Sequence, residues 1–239
     1  LLLAALYQND YQNLGPDGEG GVEKRFDMMR NAKVPNLHFS SRYTKNHHTA
    51  GAFFDYKILQ PATHTTGIAG VYKSNATISG YAAGFFVKTK IRKFTIKAKS
   101  VYGQNLSDHL LTGGYAVKAY NQVTGEAQYT PSNHSFNWLN IEYGNALTGG
   151  LLLGYSKNFG FSHNLVSTRP IYARGSNIDY LYRITPYVKW RTSRLELWAE
   201  TELTTAAYGE IQYNHKGQVK NTTEITNMRI QFSCVYLIL

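Results

Sequence analysis

Four lysines recur at alternate positions on either side of a turn in GYAAGFFVKTKIRKFTIKAKSVYG, residues 80–103. Lys88 and Lys90 precede the turn at Arg92 and Lys93, and Lys97 and Lys99 follow it. Side chains of an extended chain point alternately to opposite faces. The four ammonium groups therefore share one face of two neighbouring strands. Tyr81, Ala83, Phe85, Val87, Thr89, Ile91, Phe94, Ile96, Ala98 and Ser100 occupy the other. Cations clustered without nearby carboxylates create a positive potential that concentrates anions and repels cations, and rings of Lys and Arg are how pores select anions. Lys118, expected on the following strand, extends this basic ladder. The competing reading makes the lysines solvated turn charges or partners of lipid phosphate.

A second charged set lies in NIDYLYRITPYVKWRTSRLELWAETELTT, residues 177–205. Tyr180, Tyr182, Ile184, Val188 and Trp190 alternate with Asp179, Arg183, Lys189 and polar neighbours. After a polar turn, Leu195, Leu197, Ala199 and Leu203 alternate with Glu196, Glu200 and Glu202. This is a hairpin of two long amphipathic strands. On its polar face Arg183, Lys189 and Arg191 can lie across from Glu196, Glu200 and Glu202, a favourable cross-strand arrangement. The expected wet lining is thus basic at Lys88, Lys90, Lys97, Lys99, Lys118, Arg183, Lys189 and Arg191, and acidic at Asp179, Glu196, Glu200 and Glu202.

Residue patterns for catalysis or metal binding are sparse, and the expectation is that the chain is not an enzyme and needs no cofactor. The single cysteine, Cys234, excludes an internal disulfide and a cysteine zinc cluster. GYSKN around Ser156 lacks the second glycine of a nucleophile elbow. His47 and His48 are neighbours in a turn. In LHFSSRY, His38 and Ser40 share a strand face with the spacing of an outer-membrane phospholipase. That chemistry needs a third residue to orient the imidazole and needs the pair on the lipid side, whereas Leu37 and Phe39 take that side here. The net charge of +10 is spread along alternating faces, which argues against nucleic acid as a partner.

What positions these side chains is a series of about twelve strands, near residues 1–8, 35–43, 49–60, 77–91, 94–103, 110–121, 125–131, 134–143, 147–157, 177–190, 194–208 and 225–239. Short connections near 45–48, 92–93, 121–125, 144–147 and 191–193 largely alternate with long ones. No run of eighteen apolar residues provides a helical span. Tyr180 and Trp190 sit ten residues apart on one apolar face, a rise on the order of 25 Å once strand tilt is included, which is the height of an outer-membrane barrel's apolar band. Pro186, inside that strand, removes a ladder hydrogen bond and is expected to mark a bulge. LLLAALYQ lacks the marks of a signal peptide and reads as a strand entered from the middle of a protein. The whole chain, 1–239, forms one domain, an all-β antiparallel transmembrane β-barrel.

The phrases KSVYGQNLSD, LLTGGYAV, GLLLGYSKNFG, RGSNIDYLYRITPYVKW, LELWAETELTTAAYG and NMRIQFSCVYLIL resemble the C-terminal part of DcaP-like porins of the Gram-negative outer membrane, from about residue 30 onward. The resemblance implies a larger, roughly sixteen-stranded homotrimeric barrel that passes small anionic solutes. Relative to it, this chain lacks the N-terminal strands and a periplasmic coiled coil, and it ends in Leu239 in place of an aromatic residue. Lipopolysaccharide phosphates are the expected partners of loop residues such as Lys24, Arg25 and Lys220. Alternatives are a closed twelve-stranded transporter, an accessory subunit of an outer-membrane complex, a phospholipase-like hydrolase and a soluble β-sandwich or lipocalin-like binder.

Overall fold

A computed structural model describes residues 1–7 and 13–236. Its strands are β1 (Leu2–Leu6), β2 (Asn13–Pro16), β3 (Val22–Arg25), β4 (Asn36–Lys45), β5 (His48–Leu59), β6 (His64–Gly67), β7 (Gly70–Lys73), β8 (Ile78–Ile91), β9 (Phe94–Gln104), β10 (Gly113–Tyr120), β11 (Ala127–Gly144), β12 (Leu147–Phe161), β13 (Ile171–Arg174), β14 (Ile178–Arg191), β15 (Leu195–Gln212) and β16 (Gln218–Tyr236). One short helix, α1 (Met28–Ala32), lies between β3 and β4. Twelve strands form one antiparallel sheet in the order β1-β4-β5-β8-β9-β11-β12-β14-β15-β16, with β10 joined to β11 and β13 to β10. The hairpins β2–β3 and β6–β7 stand apart. β1 and β16 are the two ends of the path, and neither is paired on its far side among the described residues.

The expected asymmetry of connections is present. β4–β5, β8–β9, β11–β12 and β14–β15 are joined by tight turns at one end of the sheet. Asn46, Arg92 and Gly144 supply the positive φ angles that reverse three of these turns. The opposite end carries the long connections, and these are built: they contain α1, β6–β7, β10 and β13. Met28, Met29, Leu59, Ile78, Tyr115, Val117 and Tyr172 pack there into a buried core. In the same region Arg25 holds Asp27 by a 2.9 Å hydrogen bond from Nε. The guanidinium keeps the Asp27 carboxyl below the usual carboxylate range. That clasp is therefore lost only as the pH falls through the lowered value, and Arg25 is committed to it, not free for lipid phosphate.

Four expectations need correction. Residues 110–121 supply β10, which pairs with the first part of β11 at the loop end instead of forming a wall strand. The separate strands expected at 125–131 and 134–143 are one, β11, whose register shifts between Ser132 and His134; a bulge within a strand interrupts the alternation there. The tight turn at 121–125 consequently lies at the loop end. Pro186 marks no bulge: its register with Leu151 on β12 is unbroken, and pairing with β15 runs in step from Ile184↔Leu203 to Tyr187↔Glu200. The β14 irregularity falls instead between Ile178 and Leu181. Residue 8 of the first expected strand and residues 237–239 of the last, with Leu239, lie outside the described residues.

The sheet sorts its side chains. One face, here called outer, exposes Phe39, Phe54, Phe85, Leu151, Leu153, Ile184, Val188, Trp190, Leu197, Ile230 and Phe232. Rings line it in two rows. Phe54, Tyr81, Tyr102 and Phe159 follow one another across the loop-end side with centroids 6.3, 6.4 and 6.0 Å apart. Near the turns, Phe94 packs on Tyr143 at 4.7 Å, and Trp190 lies at the same end of β14. Tyr102 and Phe94 are eight residues apart on β9, which is roughly 26 Å along a strand.

The other face, here called the cleft face, packs large rings over glycines. Phe86 lies on Gly51, Phe53 on Gly84 and Tyr187 on Gly150, and each pair is directly opposed across neighbouring strands. A Cβ on Gly150 would stand 2.1 Å from Cζ of Tyr187. That ring is fixed, because its hydroxyl bonds Asn140 and Glu142, both at 2.9 Å. Gly150→Ala should therefore destabilise the protein by about 2 kcal/mol or more, from overpacking and lost hydrogen bonds. Gly149→Ala, whose Cβ would meet nothing within 4 Å, should stay within about 0.5 kcal/mol of the parent. Denaturant unfolding of the two variants checks this, and equal effects would refute the ring-on-glycine account.

Candidate functional site

The cleft face carries a hollow of about 590 Å³. Strands β4, β5, β8, β9 and β11 wall it, and it is floored by the ring-on-glycine pairs that leave Phe53 and Phe86 flat against the sheet. Lys88, Lys97 and Lys99 all line it. Lys88 is the direct cross-strand partner of Lys97, and Lys99 is opposite Phe86. Like charges placed opposite each other oppose sheet formation, and among the described residues no carboxylate comes closer than 3.5 Å to either ammonium group. Lys97 reaches Glu142 only at 3.5 Å. Among the described residues Lys88, Lys90 and Lys99 form no ion pair; Lys99 lies over the Phe53 ring, 5.1 Å from its centroid. Lys90 shares their strand face but is exposed at the turn end.

The second charged set behaves differently. Arg191 pairs with Glu196, its register partner, as expected. Arg183 reaches Glu202 diagonally at 3.2 Å, and Arg229 of β16 joins Glu202 at 3.0 Å and Glu200 at 3.8 Å. Lys189 turns from the glutamates of β15 to Glu142 of β11, at 3.7 Å. These groups neutralise one another, so the uncompensated positive charge lies on β8 and β9. Two residues fall outside both groups. Lys118 lies in β10, where Val117 pairs with Tyr129, whereas Lys97 pairs with Asn140. Eleven residues of β11 separate those partners, roughly 36 Å, so Lys118 is not part of the lysine ladder. Asp179 sits at the irregular start of β14 and accepts a 2.6 Å hydrogen bond from Lys157, whose strand row also holds the exposed rings of Tyr155 and Phe159. The bulge takes it off the cleft row.

Sequence reasoning did not anticipate the segment that roofs the hollow. After β9 the chain makes a single 3-10 turn, Leu106–His109, bracketed by Asn105 and Leu110 in left-handed conformations. Two such residues so close together force a sharp reversal, and the turn folds onto the cleft face. Leu106 packs on Ala82 and Val101. Asp108 forms a buried ion pair with Lys57 of β5, whose ammonium also bonds the Asn105 carbonyl at 2.5 Å. His109 lies 3.5 Å from Asp55. The other oxygen of Asp55 contacts His38 Nδ1 at 2.6 Å. Asp55 and Lys57 were visible as alternate polar positions in the row of Thr49, Gly51 and Phe53. Nothing in QNLSDHLL announced that a loop turn would meet them.

The arrangement places positive charge along an open hollow and sets the His38 imidazole against Asp55. Its electrostatics come from three ammonium groups on two strands in an open hollow, where the field is focused by low-dielectric walls. Ser40 lies on the same row as His38, but no hydrogen bond joins its hydroxyl to the imidazole among the described residues. No cluster of three metal-ligating side chains occurs among the described residues. Comparison with known proteins returns no matching family model, no matching curated protein and no matching solved structure, so what the chain does rests on its own residues.

Proposed function

We propose that this chain is the wall of an outer-membrane β-barrel pore of the DcaP-like kind, admitting small solutes and favouring anions. The observation that carries the reading is the sorting of side chains. One face of a ten-strand path is apolar, unpartnered and edged by two rows of rings, while the other holds paired charges and a folded-in turn. Soluble monomers rarely expose contiguous apolar patches beyond a few hundred Å², whereas lipid-facing apolar bands between aromatic girdles are the rule for such barrels. Among the described residues no helix is long and apolar enough to cross a membrane. A sheet edge cannot stay open in hydrocarbon. The far sides of β1 and β16 are therefore proposed to be joined by further strands, giving a larger barrel of about sixteen, assembled as a homotrimer with its loop end towards lipopolysaccharide.

The test combines extraction and topology. The protein should require detergent, show β-type circular dichroism and a heat-modifiable gel shift, and conduct in planar bilayers. Cysteine at Lys189 on a Cys234→Ser background should react with a water-soluble thiol reagent in liposomes, and cysteine at Val188 should not. The reverse pattern would invert the faces, and solubility as a detergent-free monomer would exclude the pore. A folded, membrane-inserted but non-conducting protein would favour an accessory subunit. The His38–Asp55 contact supplies the orienting carboxylate of a hydrolase, but without a Ser40 contact His38 is assigned to the cleft wall.

A further inference from the structure

We infer that the cleft takes an amphiphilic monoanion, a medium-chain carboxylate, with its head against Lys88, Lys97 and Lys99 and its alkyl tail along Leu111, Phe136 and Leu152. The inference rests on the pore reading only in that the cleft face is open to water. A second hollow of about 650 Å³ adjoins the first, and Lys97 and Trp138 line both. Its exposed lining is mainly apolar, with Lys97, Thr112, Asn137, Asn140, Ser156 and Arg183 as the polar members. Phe136 and Trp138 are successive cleft-face positions of β11 and face Ser156 and Gly154 of β12; Leu152 is the next cleft-face position of β12 towards the turn, opposite Asn140, and Leu181 of β14 lies opposite Ser156. Leu110 and Leu111 cover the track from the segment that follows the 3-10 turn, and Leu110 is 72% exposed. Apolar surface left in water is unfavourable in proportion to its area, and an alkyl chain laid on this track removes it.

Charge sets which end holds the head and how many heads there are. At the β8–β9 end Lys88 and Lys99 have no ion-pair partner among the described residues and Lys97 reaches Glu142 only at 3.5 Å; the two carboxylates that line this hollow, Asp55 and Asp108, are already held by His38 and Lys57, so an anion there relieves the lysines' repulsion. At the β14 end the one cation, Arg183, is already held by Glu202 at 3.2 Å and by Thr204 at 3.0 Å. A second anionic head would find no free partner there and would meet Glu202. The track from β9 to β14 crosses three strand spacings, roughly 14 Å, which suits an extended medium-length tail and leaves a short acid in contact with the head site alone.

The experiment uses the full chain in lipid nanodiscs and planar bilayers, with sodium octanoate, sodium butyrate and octylammonium chloride as probes. Emission of Trp138 is read in a Trp190→Phe, Trp198→Phe background, and channel current in the parent. Octanoate should shift the emission and reduce the current at roughly a hundredfold lower concentration than butyrate, from burial of its four further methylenes. It should also act well below octylammonium. Leu152→Ser should weaken octanoate about tenfold and leave butyrate near the parent, and Lys97→Gln should weaken octanoate and butyrate alike, each in variants that keep the heat-modifiable shift. Equal potency of octanoate and butyrate, or of octanoate and octylammonium, overturns the inference. Loss of current with a retained, chain-length-dependent Trp138 response supports the site and removes the pore. Current without that dependence does the opposite.

Discussion

In the proposed pore, exchanging Lys88, Lys90, Lys97 and Lys99 for glutamate is expected to turn the conductance from anion-favouring to cation-favouring. A change of sign at four positions moves the formal charge on two adjacent strands by eight units, from +4 to −4. Lys88, Lys90 and Lys99 have no carboxylate partner among the described residues, and the nearest one to Lys97 is at 3.5 Å. Reversal potentials in a KCl gradient read this directly. Salt screens charges beyond roughly 8 Å at physiological ionic strength, so the parent's selectivity should be modest and should shrink as salt rises. Folding should survive, because lumen-facing substitutions tune selectivity without exposing charge to lipid. The same exchange at Lys189 or Arg183 is expected to act differently. These side chains are tied to Glu142 and Glu202, and reversing either places like charges together in a packed network, with a cost in stability instead of a clean change in selectivity. A folded, conducting quadruple variant with the parent's reversal potential would leave the four lysines as solvated charges beside the turn.

The sequence made the hairpins legible because their signal is local. Period-two alternation through β8, β9, β14 and β15 put every residue named for the apolar side from Tyr81 to Ser100 on one face, and the register Arg191↔Glu196 follows from a tight turn at Thr192 to Arg194. What escaped was non-local. Whether Asn121 to Gly125 turns a wall strand or folds a loop onto β11 depends on which partner β10 meets, and the alternation of residues 110–121 is the same in both cases. The misplacement of Lys118 follows from that choice. Ser132 to His134 looked like a break because a bulge interrupts alternation just as a turn does. Pro186 did not disrupt its strand, since a missing N–H leaves the register of both neighbours intact when the chain stays extended. The roof of the cleft is the extreme case. Asp108 and Lys57 are 51 residues apart, and Asp55 gains His38 and His109 from two separate segments. Alternation could place Asp55 on the wet face, and only the fold could bring its partners.

Adjacent leucines on β12 give the largest expected contrast in stability. Leu153 is six residues from Leu147 at the turn end and six from Phe159 at the loop end, and all three are exposed on the outer face. It is flanked by Leu139 on β11 and Ile184 on β14. This is the centre of the apolar band; on the proposed barrel reading an arginine there, on the lipid side, costs about 2–4 kcal/mol, falling to about 0–1 kcal/mol near the interfaces. Leu152 is flanked by Asn140 and Thr185 and faces the cleft. An arginine there stays in water, close to the unfolded chain in its hydration, and should shift unfolding little. Urea unfolding from liposomes should therefore show Leu153→Arg destabilised by about 2–4 kcal/mol and Leu147→Arg by much less, following depth, with Leu152→Arg near the parent. A soluble sheet would give another pattern. Leu153 would then be a surface residue whose replacement by arginine changes stability by about 0.5 kcal/mol or less, and the dependence on position along the strand would vanish. Depth dependence on one face and its absence on the next residue are what hydrocarbon on one side of this sheet and water on the other require.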